Sequence, residues 1–185
     1  MKLDKNSALI VVDMQNDFLP GGSLPVKDGD KIIPVINNCI RKFKEQGLNI
    51  FATRDWHPED HISFKERGGP WPKHCVQNTK GAEFHKDLEL DDAIIISKAM
   101  DRDKEAYSGF EGTDLKDRLK QMDIKKVFVT GVATDYCVKN TALDAIKHGF
   151  EVYLIRDGVK GIHDEEKAIE EMRSKGVKVI ESKDI

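Results

Sequence analysis

Residues 125–149 read KKVFVTGVATDYCVKNTALDAIKHG, and residues 150–157 continue as FEVYLIRD. The first run is rich in β-branched and aromatic residues and ends at Gly131. From Thr134 to His148, apolar residues recur at Val138, Ala142, Ala145 and Ile146, the spacing of one helical face. Gly149 stops that helix, and a second strand-like run follows at once. Strand, helix and strand joined this tightly form a βαβ unit. Its two strands run parallel, and its helix covers one face of their sheet.

The same alternation extends in both directions. SALIVVD (7–13) is almost wholly apolar, as a strand buried on both faces must be. Residues 28–46 carry Ile32, Ile33, Ile36, Cys39, Ile40 and Phe43 at helical spacing, with Asp30 as a candidate cap, Pro34 in the first turn and Gly47 at the stop. LNIFATRD (48–55) and DAIIISK (92–98) read as strands, and 114–122 as a helix. Beyond FEVYLIRD come a helix over 164–175 and a last strand, VKVIES (177–182). The pattern predicts an α/β fold in three layers, α/β/α, with a doubly wound, mainly parallel six-stranded sheet and right-handed crossovers. At 185 residues the chain suffices for one domain with a substantial core, and 1–185 is read as a single domain.

Composition narrows the function. The formal net charge is −3 with both signs mixed, and no basic block or arm appears, so nucleic acid is not an expected partner. No apolar run approaches the roughly 20 residues that span a bilayer, so no membrane association is expected. The apolar stretch near the N-terminus runs straight into Asp13 without a small-residue cleavage site, and reads as a strand rather than a signal peptide. Three widely spaced cysteines do not make a disulfide framework, which suggests free thiols in a reducing, cytoplasmic setting. Abundant Lys and Glu with only four Gln lean toward a heat-adapted protein. Oligomeric state is left open, a homo-oligomer included.

In an open parallel sheet, ligands bind beyond the carboxyl ends of the strands, at the switch in strand order. The topology brings Asp13, Asp55-Trp56-His57, Lys98 and Cys137 to that one edge: an acid, a carboxylate–imidazole pair, an amine and a thiol. The long segment 55–92, with GGPWP at 68–72, opens beside them, and a connection of that length inside a compact domain is usually functional. Asp55 and His57 point the same way from an extended chain, and His74 is a candidate third ligand for a divalent metal. HPED (57–60) reads equally as a surface turn. His61 is a candidate support for that group, and Cys75 reads as a small buried residue. Cys137 falls in the first turn of a helix that Thr134 could cap. The helix dipole and a nearby Lys98 would lower its pKa, and Asp13 could take its proton. Position alone leaves Cys137 open between nucleophile and packed core residue, whereas Cys39, on an apolar helical stripe, reads as core.

Asp13 in VVDMQNDF, Lys98 in ISKAMD and Cys137 in GVATDYCV resemble the Asp–Lys–Cys set of the isochorismatase-like cysteine hydrolases. DWHPEDHISF (55–64) and WPKHC (71–75) are similar to the nicotinamidases among them, which also take pyrazinamide. The resemblance runs from Ala8 to about Asp157. It implies that Cys137 attacks the carboxamide carbon of nicotinamide, that Asp13 moves the proton, and that Lys98 steadies both. It implies an oxyanion hole from the N–H groups of Ala133 and Cys137, a cis Val132–Ala133 peptide, and nicotinate as product, in NAD salvage. It further implies a divalent metal, zinc by expectation, on Asp55, His57 and His74, and a ring held between Phe18 and Trp71 with Tyr107 completing the wall. Three other readings compete: a sibling hydrolase of another small amide or isochorismate-type substrate, a metallohydrolase with structural Cys137, and a binding protein on this fold.

Overall fold

A computed structural model describes residues 3–185. Six strands form one sheet: β1 (Ser7–Val12), β2 (Asn49–Asp55), β3 (Ile94–Lys98), β4 (Lys126–Val132), β5 (Glu151–Lys160) and β6 (Lys178–Ile180). Their order is β3-β2-β1-β4-β5-β6, and every pairing is parallel, so the sheet is parallel throughout rather than mainly. The order reverses between β1 and β4. That is the switch point, and it opens a crevice at the carboxyl ends of those two strands.

Alternate residues of each strand face opposite layers. Leu9 and Val11 of β1 pack on α1 (Ile33–Glu45) through Ile36, Cys39, Ile40 and Phe43. Ala8, Ile10 and Val12 face α2 (Leu115–Gln121), α3 (Lys139–Lys147) and α4 (Glu165–Ser174) through Leu115, Ala142 and Ile169. All six β1 residues are buried, as the unbroken apolar run requires. Each large apolar side chain so buried contributes roughly 1.5–3 kcal/mol.

Two helix starts differ from their sequence reading. Asp30 lies in a 3₁₀ turn, Gly29–Ile32, that leads into α1, and it does not cap the helix. Thr134 makes no capping hydrogen bond either. Thr134–Val138 is a π turn that opens α3, and the Thr134 hydroxyl instead donates to Glu165 Oε1 at 3.1 Å. By contrast, Asp164 caps α4 by accepting from the Lys167 N–H at 3.0 Å. Gly131, with φ +114°, lets β4 lie against β1: a Cβ there would stand 2.1 Å from the Val12 carbonyl oxygen. Beyond it, the Val132–Ala133 peptide is cis, as the resemblance implied.

The segment 55–92 is folded rather than loose. His57 bridges Val76 in parallel, and Phe64 bridges Trp71. The buried Gln15 amide donates to the Asp55 and Ala82 carbonyls at 2.7 and 2.9 Å. Asp17 accepts from the Cys75 N–H at 2.8 Å. Residues just past β1 therefore tie this long excursion down over the crevice.

Candidate active site

Three strand ends and the π turn deliver four groups to one buried cluster. Asp13 follows β1 with φ +51°, a left-handed turn that a non-glycine residue adopts only at some cost. Its Oδ1 accepts from Thr53 Oγ1 at 2.8 Å. Its Oδ2 lies 3.0 Å from Lys98 Nζ, yet receives no well-directed hydrogen bond, the one such buried side-chain atom among the described residues. Lys98, at the end of β3, also binds Asp55 Oδ1 and lies 3.4 Å from Cys137 Sγ. Asp13, Asp55 and Cys137 present O, O and S atoms within 4.8 Å of one another, a trio that could attract a cation. The Lys98 ammonium is that cation.

The electrostatics follow from burial. Desolvation opposes the charge on Lys98, but Asp13 and Asp55 outweigh it and raise its pKa well above the ordinary value. Asp13 is pushed up, first by burial, with Asp55 adding to it against the pull of Lys98. The Cys137 thiol is also pushed well up, by burial and then by the neighbouring Asp13. This corrects the expectation of a lowered thiol pKa. Lys98 does pull toward the thiolate, but two carboxylates and complete desolvation pull harder. The resting sulfur is a thiol beside a carboxylate with one oxygen ready for a proton.

Beyond Asp55 lies a second cluster. The parallel bridge between His57 and Val76 brings two imidazoles together across 17 residues of chain. His57 Nδ1 faces the Ala99 carbonyl at 3.0 Å, and His74 Nδ1 faces the Pro72 carbonyl at 2.8 Å. A carbonyl only accepts, so each Nδ1 carries a proton and each ring turns its Nε2 inward. Burial opposes charge on His57, but the neighbouring Asp55 outweighs it and raises its pKa. The two Nε2 atoms are 3.3 Å apart, and Asp55 Oδ2 stands 3.4 and 3.8 Å from them. Burial holds the His74 imidazole down at about 4, so it is neutral near pH 7. Positive charge between these three atoms, whether a proton on His57 Nε2 or a metal ion, offsets their mutual repulsion. Two imidazole nitrogens bonded tetrahedrally to one ion at about 2.0–2.1 Å would be about 3.3–3.4 Å apart. Asp55, His57 and His74 thus fit a divalent metal in both donor chemistry and spacing.

His61 stacks on His57 with ring centroids 4.0 Å apart. Its Nδ1 pairs with the Ser63 hydroxyl at 2.7 Å and its Nε2 with the Lys104 carbonyl at 2.8 Å. With both nitrogens engaged, His61 buttresses His57, and Ser63 fixes His61. Cys75 is buried beside His74, and Cys39 lies on the core-facing side of α1, as their sequence positions suggested.

A small apolar pocket, open at its mouth, joins the two clusters. Buried Cys137, Ala133, Asp55 and His74 line it together with the aromatic Phe18, Trp71 and Tyr107. Trp71 Nε1 donates to the Tyr107 hydroxyl at 3.1 Å. The Ala133 carbonyl accepts from the Tyr136 and Val138 N–H groups at 3.0 and 3.1 Å, leaving the intervening Cys137 N–H out of that pairing.

This combination has relatives. The isochorismatase domain model matches residues 7–184. The chain belongs to the isochorismatase family. Within this family it is 41% identical to the nicotinamidase of Acinetobacter baylyi, an alignment covering 100% of this chain and 97% of that one. The pyrazinamidase of Pyrococcus horikoshii, solved in complex with zinc, is 68% identical with a TM-score of 0.92, covering 95% of this chain and 99% of that one. PnC1 from L. infantum, solved in complex with nicotinate, is 37% identical with a TM-score of 0.93, covering 99% and 96%.

The isochorismatase-family pocket also contains residues that motif reading passed over. Leu24, Glu105, Tyr136 and Ile162 also line it. Tyr136 packs edge-on to Trp71 at 5.2 Å and was legible as the neighbour of Cys137. Glu105 stood a few residues past the third strand. Leu24 and Ile162 lie in connecting segments without any local signal.

Proposed function

We propose that the protein is a nicotinamidase, hydrolysing nicotinamide to nicotinate and ammonia, and pyrazinamide likewise, in NAD salvage in the cytoplasm. The observation that carries this reading is that Lys98 contacts both Asp13 and Cys137, and that Cys137 lines an aromatic pocket together with Asp55 and His74 of the Asp55–His57–His74 trio. The names of the relatives support the substrate.

On this reading the Cys137 sulfur attacks the carboxamide carbon while its proton passes to Asp13. The N–H groups of Ala133 and Cys137 face the developing oxyanion, a donor type worth roughly 3 kcal/mol each. Lys98 keeps Asp13 in place and offsets the negative charge that gathers at the floor of the pocket. As the C–N bond breaks, Asp13 returns the proton to the departing nitrogen and ammonia leaves. A thioester on Cys137 remains. Water then attacks it, Asp13 takes the water proton and passes it to the sulfur, and the C–S bond breaks to release nicotinate. Asp55, His57 and His74 would hold a divalent metal, zinc being the first choice given the Pyrococcus horikoshii relative, which when bound supplies an anchor for the ring nitrogen. Phe18 and Trp71 flank the ring and Tyr107 closes one side, so that the amide is held over the sulfur.

Ammonia release from nicotinamide is the direct test. Turnover is expected with zinc present, lost on chelation and restored when the metal is returned. Absence of turnover in the metal-loaded protein, with hydrolysis of isochorismate or of an N-carbamoyl compound instead, would replace this reading by the sibling one.

A further inference from the structure

One wall of the pocket is delivered by a segment far from every motif. Ile162 lines the cavity that holds Cys137, yet it belongs to the connection between β5 and α4. What holds it there is Asp135, two residues before Cys137 on the π turn. The Asp135 carboxylate accepts from three consecutive backbone N–H groups: Ile162 at 2.9 Å, His163 at 2.7 Å and Asp164 at 3.3 Å. Burial opposes its charge, but the Ile162 and His163 N–H groups outweigh that and hold its carboxyl below the usual range. The approach is close. A Cβ on Gly161 would stand 3.2 Å from Asp135 Oδ1 and 3.0 Å from Glu165 Cβ. Thr134 reinforces the tie through Glu165. The turn that carries the sulfur is therefore fastened to the segment that carries an apolar wall.

We infer that Ile162 is a specificity-determining wall limiting substituents on the substrate ring, and that Asp135 is the positioning residue that sets it relative to Cys137. This rests on the ring-amide reading above. An apolar wall discriminates through volume, and one methylene in such a pocket is worth roughly 10-fold or more in kcat/KM. A carboxylate that only stabilised the fold would lower the melting temperature of every variant alike and leave the ranking of substrates untouched.

The test compares kcat/KM for nicotinamide with that for each ring-methylated nicotinamide, using the metal-loaded full chain. Ile162→Ala is expected to raise the methylated-to-parent ratio about 10-fold for at least one isomer. Asp135→Ala should raise the ratio for that same isomer, and the double variant should go no further than either alone, because both act on one wall. Asp135→Asn keeps an accepting oxygen, so its ratio should lie between wild type and Asp135→Ala. It carries the test if Asp135→Ala does not fold. Ratios that stay within about twofold for every isomer, or effects that multiply in the double variant, overturn the inference while leaving the nicotinamidase reading intact. No turnover of nicotinamide by the unaltered protein overturns the substrate reading and the wall with it.

Discussion

Cys137→Ala is expected to abolish nicotinamide hydrolysis, lowering kcat by about 10⁴-fold or more, with the fold retained. The Cys137 sulfur lines the pocket, lies 3.4 Å from the Lys98 ammonium and comes within 4.8 Å of an Asp13 oxygen. The π turn around it is held by the bonds of Asp135 and Thr134, neither of which involves the sulfur. The variant should therefore keep its circular dichroism and still bind nicotinate. An acid-quenched reaction of the unaltered protein should carry a nicotinoyl group on Cys137. Substantial activity in Cys137→Ala would mean that a metal-bound water is the nucleophile and the cysteine is structural. The raised thiol pKa makes a further point. Wild-type protein should alkylate slowly at neutral pH, because the proton leaves the sulfur only when a substrate gives the negative charge somewhere to go.

Lys98→Met should be the most destabilising change at the site, as well as inactivating. Lys98 is 1% exposed, and it lies between Asp13, which is fully buried, and Asp55, which is 4% exposed. Those two carboxylates come within 4.8 Å of each other. At an effective dielectric constant of about 20, two like charges at that spacing repel by on the order of 3 kcal/mol. Removing one partner from a buried ionic cluster typically costs about 3–5 kcal/mol. For a chain of this length that is a fall of about 6–20 °C in melting temperature. The measurement is thermal unfolding in the presence of chelator, so that no ion bound to Asp55 masks the effect. Adding Asp13→Asn to Lys98→Met should recover much of the loss, since one carboxylate no longer faces the other. A melting temperature unchanged in Lys98→Met would show that water reaches the cluster.

Much of the fold is legible in the sequence. The apolar run 7–13, the helical stripe through Cys39 and the strand–helix–strand stretch around Gly131 each signal their element through a period that packing then respects. Boundaries moved where tertiary contacts intervene. Strand β5 runs on to Lys160, past the predicted end at Asp157, and pairs its Val159 and Lys160 with Gly131 and Val132. The cap assigned to Thr134 failed because its hydroxyl is claimed by Glu165 on another helix, a partner 31 residues away. Leu24 and Ile162 escaped notice because an apolar residue in a connecting segment has no periodicity to reveal which surface it covers.

Sequence alone determined which groups share an edge. Parallel strands joined by helices must all end on the same side, so Asp13, Asp55, Lys98 and Cys137 were bound to meet there whatever the details of packing. Only the tertiary structure decided how they are coupled. That Lys98 reaches two carboxylates and the thiol together, that His57 and His74 turn their Nε2 atoms to one point, and that the sulfur rests protonated all depend on distances across three strands and on the exclusion of water. Those quantities are sums over the whole fold, and no local stretch of chain contains them.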